Sequence, residues 1–230
     1  MRTIIFGDIH GCRKALDNLL IQIRPKPGLD RLVFLGDLFD RGPDSFGVLQ
    51  RMMQLADDFS ENYILLLGNH EDYLLQPEIS RQQRMIWEQV GRQTTVFSFK
   101  NAGAKMEDSI PWIKKHIRLY WKTDSFQCVH AGLMLDPLEV NDLETLVHSH
   151  EIVLMNRYTG PLTITGHIAL GEATWFAVDG ETTETLAEGV VLSLPKTGII
   201  CIDTGCGKGG KLTAMIIDGK DFMLLSTPET

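Results

Sequence analysis

Three apolar runs in the first third of the chain, at residues 2–6, 32–35 and 63–67, each break off into a polar loop opened by glycine. The loops begin Gly7-Asp8, Gly36-Asp37 and Gly68-Asn69. Between the first two runs, Ala15, Leu16, Leu19, Leu20 and Ile23 recur at helical spacing, and Pro25 and Pro27 stop the pattern. After Pro43, Val48, Leu49, Met52, Met53 and Leu55 supply a second helical face. A strand–helix–strand–helix–strand order predicts parallel strands, and parallel strands deliver their carboxyl ends to one edge of a sheet, where ligands of open α/β sheets bind. The three polar loops therefore converge.

The rest of the chain reads differently. Residues 76–115 carry Trp87, Gly91, Phe97, Phe99 and Trp112 among polar residues, a mostly helical insertion over the loop edge. From Ile117 onward strand-like runs dominate, at 117–121, 126–129, 162–165, 190–194, 199–202, 212–217 and 222–225, with a helical pattern only at 142–154. This asymmetry favours two packed sheets with helices outside over one doubly wound sheet. A single domain over residues 1–230 is expected for 230 residues.

The formal charge of −8 argues against a partner held by the overall field, so neither stable nucleic-acid binding nor an anionic membrane surface is expected. No apolar stretch approaches the length of a bilayer span, and Met1-Arg2-Thr3 runs directly into the first strand without a signal-like segment. Cys12, Cys128, Cys201 and Cys206 are scattered without a paired framework. They read as reduced thiols of a cytoplasmic protein.

Asp8-Ile9-His10 offers a carboxylate and an imidazole two residues apart, which in an extended loop project to the same side. Alone, such a pair is more often a capped turn. The same chain adds Asp37, Asn69-His70, His130 and His167, each just beyond an apolar run. Four of the seven histidines thus sit in Gly-flanked loops after strands, whereas His116, His148 and His150 do not and are assigned to surface or core roles. Mixed oxygen and imidazole donors suit manganese, iron or zinc. Two ions roughly 3.5–4 Å apart need a shared carboxylate, and Asp37 is the natural bridge.

Taken in order, Gly7-Asp8-Ile9-His10-Gly11, Gly36-Asp37-Leu38-Phe39-Asp40-Arg41-Gly42, Gly68-Asn69-His70-Glu71, His130-Ala131-Gly132 and Gly166-His167 resemble the signature of the calcineurin-like metallophosphoesterase superfamily. The Asp-Arg-Gly of the second block points to its bacterial phosphoprotein phosphatase branch, related to symmetrical dinucleoside tetraphosphate hydrolases. Similarity extends through residues 87–98, 154–157 and 202–214. The resemblance implies an α/β (α+β) fold of four layers, two mixed β-sheets packed as a sandwich flanked by helices.

It further implies two divalent ions, manganese first and iron or zinc as alternatives. Asp8 and His10 would bind one, Asn69, His130 and His167 the other, and Asp37 both. His70 becomes the acid that protonates the departing oxygen, held by Asp40, while Arg41 and Arg157 grip the phosphate with their planar forks. The expected reaction is hydrolysis of phosphate monoesters by a hydroxide held between the ions. A phosphorylated protein, at serine or threonine, is the first-choice substrate, and a dinucleoside polyphosphate or other small phosphoester the second. A non-catalytic metal-binding scaffold would lack a ligand or His70, Asp40 or Arg41, and all are present. Two departures stand out: Ile168-Ala169 where many relatives carry threonine and proline, and Gln89-Val90-Gly91 where relatives often carry Asn-Gly-Gly. Asp203 and Cys206 read as structural supports, Trp87 and Phe97 as packing residues of the insertion rather than a base-stacking platform.

Overall fold

In the computed structural model, which describes residues 1–134, 137–150 and 158–229, the three apolar runs become β1 (Arg2–Phe6), β2 (Asp30–Phe34) and β3 (Tyr63–Leu66), and β2 pairs in parallel with both its neighbours. The helices between them are α1 (Arg13–Ile23) and α2 (Ser45–Phe59). Helix α1 buries Ala15, Leu16, Leu19 and Ile23 and ends at Arg24, which adopts the left-handed conformation ahead of Pro25. Helix α2 is capped by Asp44, whose carboxylate accepts the Gly47 amide at 2.9 Å.

Residues after β3 form α3 (Asn69–Leu75), α4 (Arg81–Gln89), α5 (Arg92–Asn101) and α6 (Ile110–His116). Trp87, Phe99, Met106 and Ile113 join the same apolar cluster as α1 and α2. The run at 117–121, expected as one strand, is divided between two sheets. Its first part is β4 (Ile117–Arg118), which pairs with β3, and its second is β5 (Tyr120–Lys122), with the exposed Leu119 between them. A strand that crosses from one sheet to the other makes a corner.

The second sheet continues with β6 (Gln127–Val129), to which β5 pairs antiparallel. Helix α7 (Leu143–Val147) follows; the helical pattern of 142–154 thus holds to Val147, and residues 151–157, Arg157 among them, lie outside those described. Then come β7 (Thr163–Thr165), β8 (Thr174–Phe176), β9 (Thr183–Thr185), β10 (Val191–Ser193), β11 (Ile199–Cys201), β12 (Lys211–Asp218) and β13 (Asp221–Pro228). One sheet runs β10-β13-β12-β1-β2-β3-β4 and the other β5-β6-β7-β11-β8-β9, both mixed in direction.

Alternation along the strands makes the layers. Ile4, Phe6, Leu32, Phe34 and Leu65 turn to α1 and α2, whereas Ile5, Val33, Leu35, Ile64 and Leu66 turn to the second sheet. There they meet Cys128, Ile164, Ile200 and Ile202. Strands buried on both faces read as unbroken apolar runs, which is why β1 to β3 are so plain in the sequence. On the far side of the second sheet, Val129, Ile199 and Cys201 pack with Leu138, Leu146, Val147 and Tyr158, completing four layers. Each fully buried Leu or Ile between the sheets contributes about 1.5–3 kcal/mol. No helix among the described residues is long and apolar enough to cross a membrane.

Candidate metal centre

The exit loops of β1, β2 and β3 are knitted together by backbone bonds before any side chain matters. The amides of Ile9 and His10 both donate to the Asp37 carbonyl, at 3.0 and 2.9 Å, and Gly11 donates to Leu38 at 2.8 Å. Among the described residues, positive φ outside glycine occurs at seven positions, and His10, Asp37, Asp40, Arg41 and His167 are five of them. Such conformations cost roughly 1–3 kcal/mol each and persist where surrounding structure imposes them. The folded core thus holds these loops against their own preference.

Asp37 stands at the centre. Its Oδ2 lies 3.5 Å from His10 Nε2 and 3.8 Å from His70 Nε2, and its Oδ1 lies 3.5 Å from His130 Nε2. Two groups of buried donors result, His10 with Asp37 and His70, and Asp37 with His130 and His167; in each, the ligand atoms lie within 4.8 Å of one another. Both groups contain Asp37. Asn69 Oδ1 joins the second, 3.2 Å from His130 Nε2 and 2.9 Å from His167 Nδ1. Asp8 flanks the first, its Oδ2 3.9 Å from His10 Nε2, while both its oxygens accept the His167 amide at 3.2 and 3.0 Å.

All six residues expected as metal ligands therefore meet, drawn from loops up to 159 positions apart. The fit to cations is chemical as well as spatial. Burial, then the neighbouring Asp203 and Asp37, pushes the Asp8 carboxyl well above its usual range, a cost that a bound cation removes. Burial likewise lowers His10 and His130 and pushes His167 down to about 2, so the imidazoles are held neutral, as ligands must be. Among the described residues, the buried Nε2 atoms of His70 and His167 have no hydrogen-bond partner.

His70 sits differently from the others. Its Nδ1 lies 2.6 Å from Asp40 Oδ2, an oxygen that also accepts the Trp87 indole N–H at 2.7 Å. Asp40 Oδ1 accepts the Thr95 hydroxyl at 2.7 Å, and Thr95 in turn accepts the Asp40 amide at 2.8 Å. Trp87 is therefore an anchor for Asp40 and not a free platform: Tyr73 stacks on its ring at 5.9 Å and the Arg92 guanidinium lies over it at 5.0 Å. Phe97 departs from expectation, being exposed rather than packed. The Arg41 guanidinium rests against His10 Nε2.

Several contributors were not singled out from the residues. Glu71, fully buried, accepts the amides of Asp37 and Leu38 at 2.8 and 2.9 Å and so fixes the Asp37 loop. It was visible only as the last letter of Gly68-Asn69-His70-Glu71. The His150 ring lies 4.4 Å from that of His167, whereas His148 binds Asp72 at 2.9 Å and His116 packs on Trp112 at 4.5 Å. Two glycines are required by proximity: an added Cβ would meet Asp8 Oδ1 at 2.1 Å from Gly166, and Asp37 Oδ1 at 2.2 Å from Gly68.

The family model described as calcineurin-like phosphoesterase matches residues 1–191. The chain belongs to that family. A symmetrical bis(5'-nucleosyl)-tetraphosphatase of Coxiella burnetii (strain Dugway 5J108-111) is 35% identical over 158 residues, covering 65% of this chain and 47% of the relative. This chain thus spans about half the length of that relative. An asymmetrical bis(5'-nucleosyl)-tetraphosphatase of Oceanobacillus iheyensis is 28% identical over 244 residues, covering 99% of this chain and 93% of the relative. The crystal structure of a metallophosphoesterase from Sphaerobacter thermophilus superimposes with a TM-score of 0.65 at 12% identity, covering 99% of this chain and 88% of that one, a likeness of fold alone.

Proposed function

We propose that this member of the calcineurin-like phosphoesterases is a two-metal hydrolase of dinucleoside polyphosphates. The observation that carries the reaction is the pair of buried donor groups sharing Asp37. Asp8 and His10 would hold one divalent ion, Asn69, His130 and His167 the other, with Asp37 between them and manganese the ion to supply first. Two such ions supply an activated water and neutralise phosphoryl charge. The remaining work falls to the chain itself. Asp40, anchored by Trp87 and Thr95, fixes the His70 ring with Nδ1–H donated to its carboxylate, which leaves Nε2 to carry a proton toward the departing oxygen. Arg41, with Arg157 as its expected partner, would pair with phosphoryl oxygens.

The substrate class rests on a different footing. Both tetraphosphatase relatives named above support a dinucleoside polyphosphate over the phosphoprotein that the Asp40-Arg41-Gly42 block first suggested. A cavity of about 590 Å³, walled by Tyr73 and Trp87 and bearing Arg84, Arg92 and Lys114 alongside Glu78 and Glu107, is of a size to accept a nucleotide, with Arg84 and Lys114 as the cations available to its phosphates. The second reading, phosphoserine or phosphothreonine in a peptide, keeps the support of Asp40-Arg41-Gly42. A panel of diadenosine tetraphosphate, mononucleotides and phosphopeptides under one manganese concentration decides between them. The highest kcat/KM is expected on the tetraphosphate; a higher value on phosphopeptides overturns the substrate assignment while leaving the metal centre intact.

A further inference from the structure

Beside the metal centre, two of the four cysteines face each other. Cys12 closes the exit loop of β1, and Cys206 lies in the turn between β11 and β12. Their sulfurs and the Glu229 carboxylate all lie within 4.8 Å of one another. Cys12 Sγ also donates to the His10 carbonyl at 3.5 Å, and Cys206 Sγ to the Ile9 carbonyl at 3.5 Å. Access differs between them. Both are buried, Cys12 at 3% exposure and Cys206 at 1%, but a cavity of about 390 Å³ is lined by Cys12 together with Arg13, Arg41, Gly207 and Glu229, and Cys206 is not part of its lining. The other two cysteines, Cys128 and Cys201, are fully buried in the apolar clusters on the two faces of the second sheet.

A thiol at the wall of a cavity with a second thiol close by is the arrangement of a reactive and a resolving cysteine. We propose that Cys12 and Cys206 form such a pair, oxidised by a peroxide to a disulfide that slows turnover. In the first step Cys12–SH attacks the peroxide, giving Cys12–SOH and water; in the second the Cys206 sulfur displaces that hydroxyl as water and the S–S bond forms. Two thiols lose two electrons and two protons, and one hydrogen peroxide becomes two waters.

The consequence for the metal centre follows from packing. A disulfide brings two sulfurs to about 2.05 Å, and whatever part of that approach side-chain rotation does not supply draws the loop carrying His10 and the turn carrying Gly207 together. That turn has no slack: a Cβ on Gly207 would meet His10 Cβ at 2.7 Å and Arg41 Cβ at 3.0 Å. Closure therefore shifts His10 and Arg41, and a displacement of about 1 Å at a reacting centre can cost on the order of a hundredfold in rate.

The test treats reduced, manganese-loaded enzyme with hydrogen peroxide, blocks free thiols by alkylation and maps the digest by mass spectrometry, with p-nitrophenyl phosphate turnover read in parallel. A Cys12–Cys206 cross-linked peptide is expected, with a fall in turnover of about tenfold or more that dithiothreitol reverses. In Cys206→Ala, a sulfenic acid is expected on Cys12, trapped by dimedone, and no cross-link. In Cys12→Ala, the same peroxide dose should leave turnover unchanged, which separates thiol oxidation from oxidation of the ions. Absence of the cross-link in wild type, a cross-link with undiminished turnover, or equal loss in Cys12→Ala each overturns the proposal. The peptide map needs no turnover, so it stands or falls apart from the assignment of the reaction.

Discussion

Replacing Asp40 by Asn separates the charge of that carboxylate from its shape. One oxygen of Asp40 accepts both His70 Nδ1–H, at 2.6 Å, and Trp87 Nε1–H, at 2.7 Å, and the other accepts the Thr95 hydroxyl. An amide offers only one acceptor oxygen. Pointing its NH₂ at His70 and Trp87 would set it against two donors, so the carboxamide oxygen must stay toward them, and the NH₂ must face Thr95, whose hydroxyl can rotate to accept. The His70 ring thus keeps its place while losing its charged partner. A hydrogen bond to a charged group contributes about 1.5–3 kcal/mol and a neutral one about 0.5–1.5 kcal/mol. Two weakened bonds therefore cost about 2–3 kcal/mol of stability, or roughly 4–12 °C in melting temperature for a chain of this size. The catalytic effect is more specific. Loss of a general acid costs on the order of 10²–10⁴-fold, but only where the leaving oxygen needs its proton. The assay compares phenyl phosphate, whose phenolate is strongly basic, with p-nitrophenyl phosphate, whose leaving group departs readily as the anion. Asp40→Asn should lower kcat about a hundredfold or more on the first and no more than about tenfold on the second. Equal losses on both would show that Asp40 and His70 do not deliver the proton.

Four further outcomes are expected. Asp37→Asn removes the charge shared by both donor groups, so metal analysis after dialysis should find fewer than two ions retained; two tightly held ions would refute the bridging role. Gly166→Ala places a Cβ 2.1 Å from Asp8 Oδ1, and titration with manganese should show weaker binding by at least about tenfold; unchanged affinity would contradict the close packing. Asp30 is held below the usual carboxylate range first by its hydrogen bond to Arg2, at 2.9 and 2.7 Å. A depressed carboxylate stabilises the fold above its unfolded pKa of about 3.9 and loses that contribution as pH falls through its folded value. Asp30→Asn should therefore lower the melting temperature at neutral pH by an amount worth about 1 kcal/mol, with the difference shrinking below about pH 4; a difference constant with pH would refute the pairing. Arg84→Ala, in the cavity beside Trp87, should raise KM for diadenosine tetraphosphate several-fold, roughly 1 kcal/mol, without changing KM for p-nitrophenyl phosphate, and equal effects on both would remove that cavity from substrate binding.

What the sequence disclosed follows from how each part is stabilised. Strands β1 to β3 are buried on both faces, so their apolar runs are continuous and their ends fall within two residues of the expected ones. The ligand loops announced themselves because glycine followed by aspartate or asparagine recurs at the end of every such strand, with an imidazole close behind in two of the three. The pair β8 and β9 went unseen: Thr183, Glu184 and Thr185 are all exposed, so no alternation of apolar residues marks them. The division of 117–121 into two strands was equally invisible, because it depends on which sheet edge each half meets. Trp87, Thr95 and Glu71 act at distances of 33 to 55 positions from the residues they hold, and nothing local in their neighbourhoods signals a hydrogen bond to Asp40 or to the Asp37 loop. Second partners of this kind become legible only when the fold closes.

The account rests on two cations flanking one carboxylate. Anomalous diffraction from a crystal of the manganese-loaded protein measures this most directly. Two peaks roughly 3.5–4 Å apart are expected, one beside Asp8 and His10, the other beside Asn69, His130 and His167, with Asp37 touching both. A single peak, or two peaks without Asp37 between them, would contradict it.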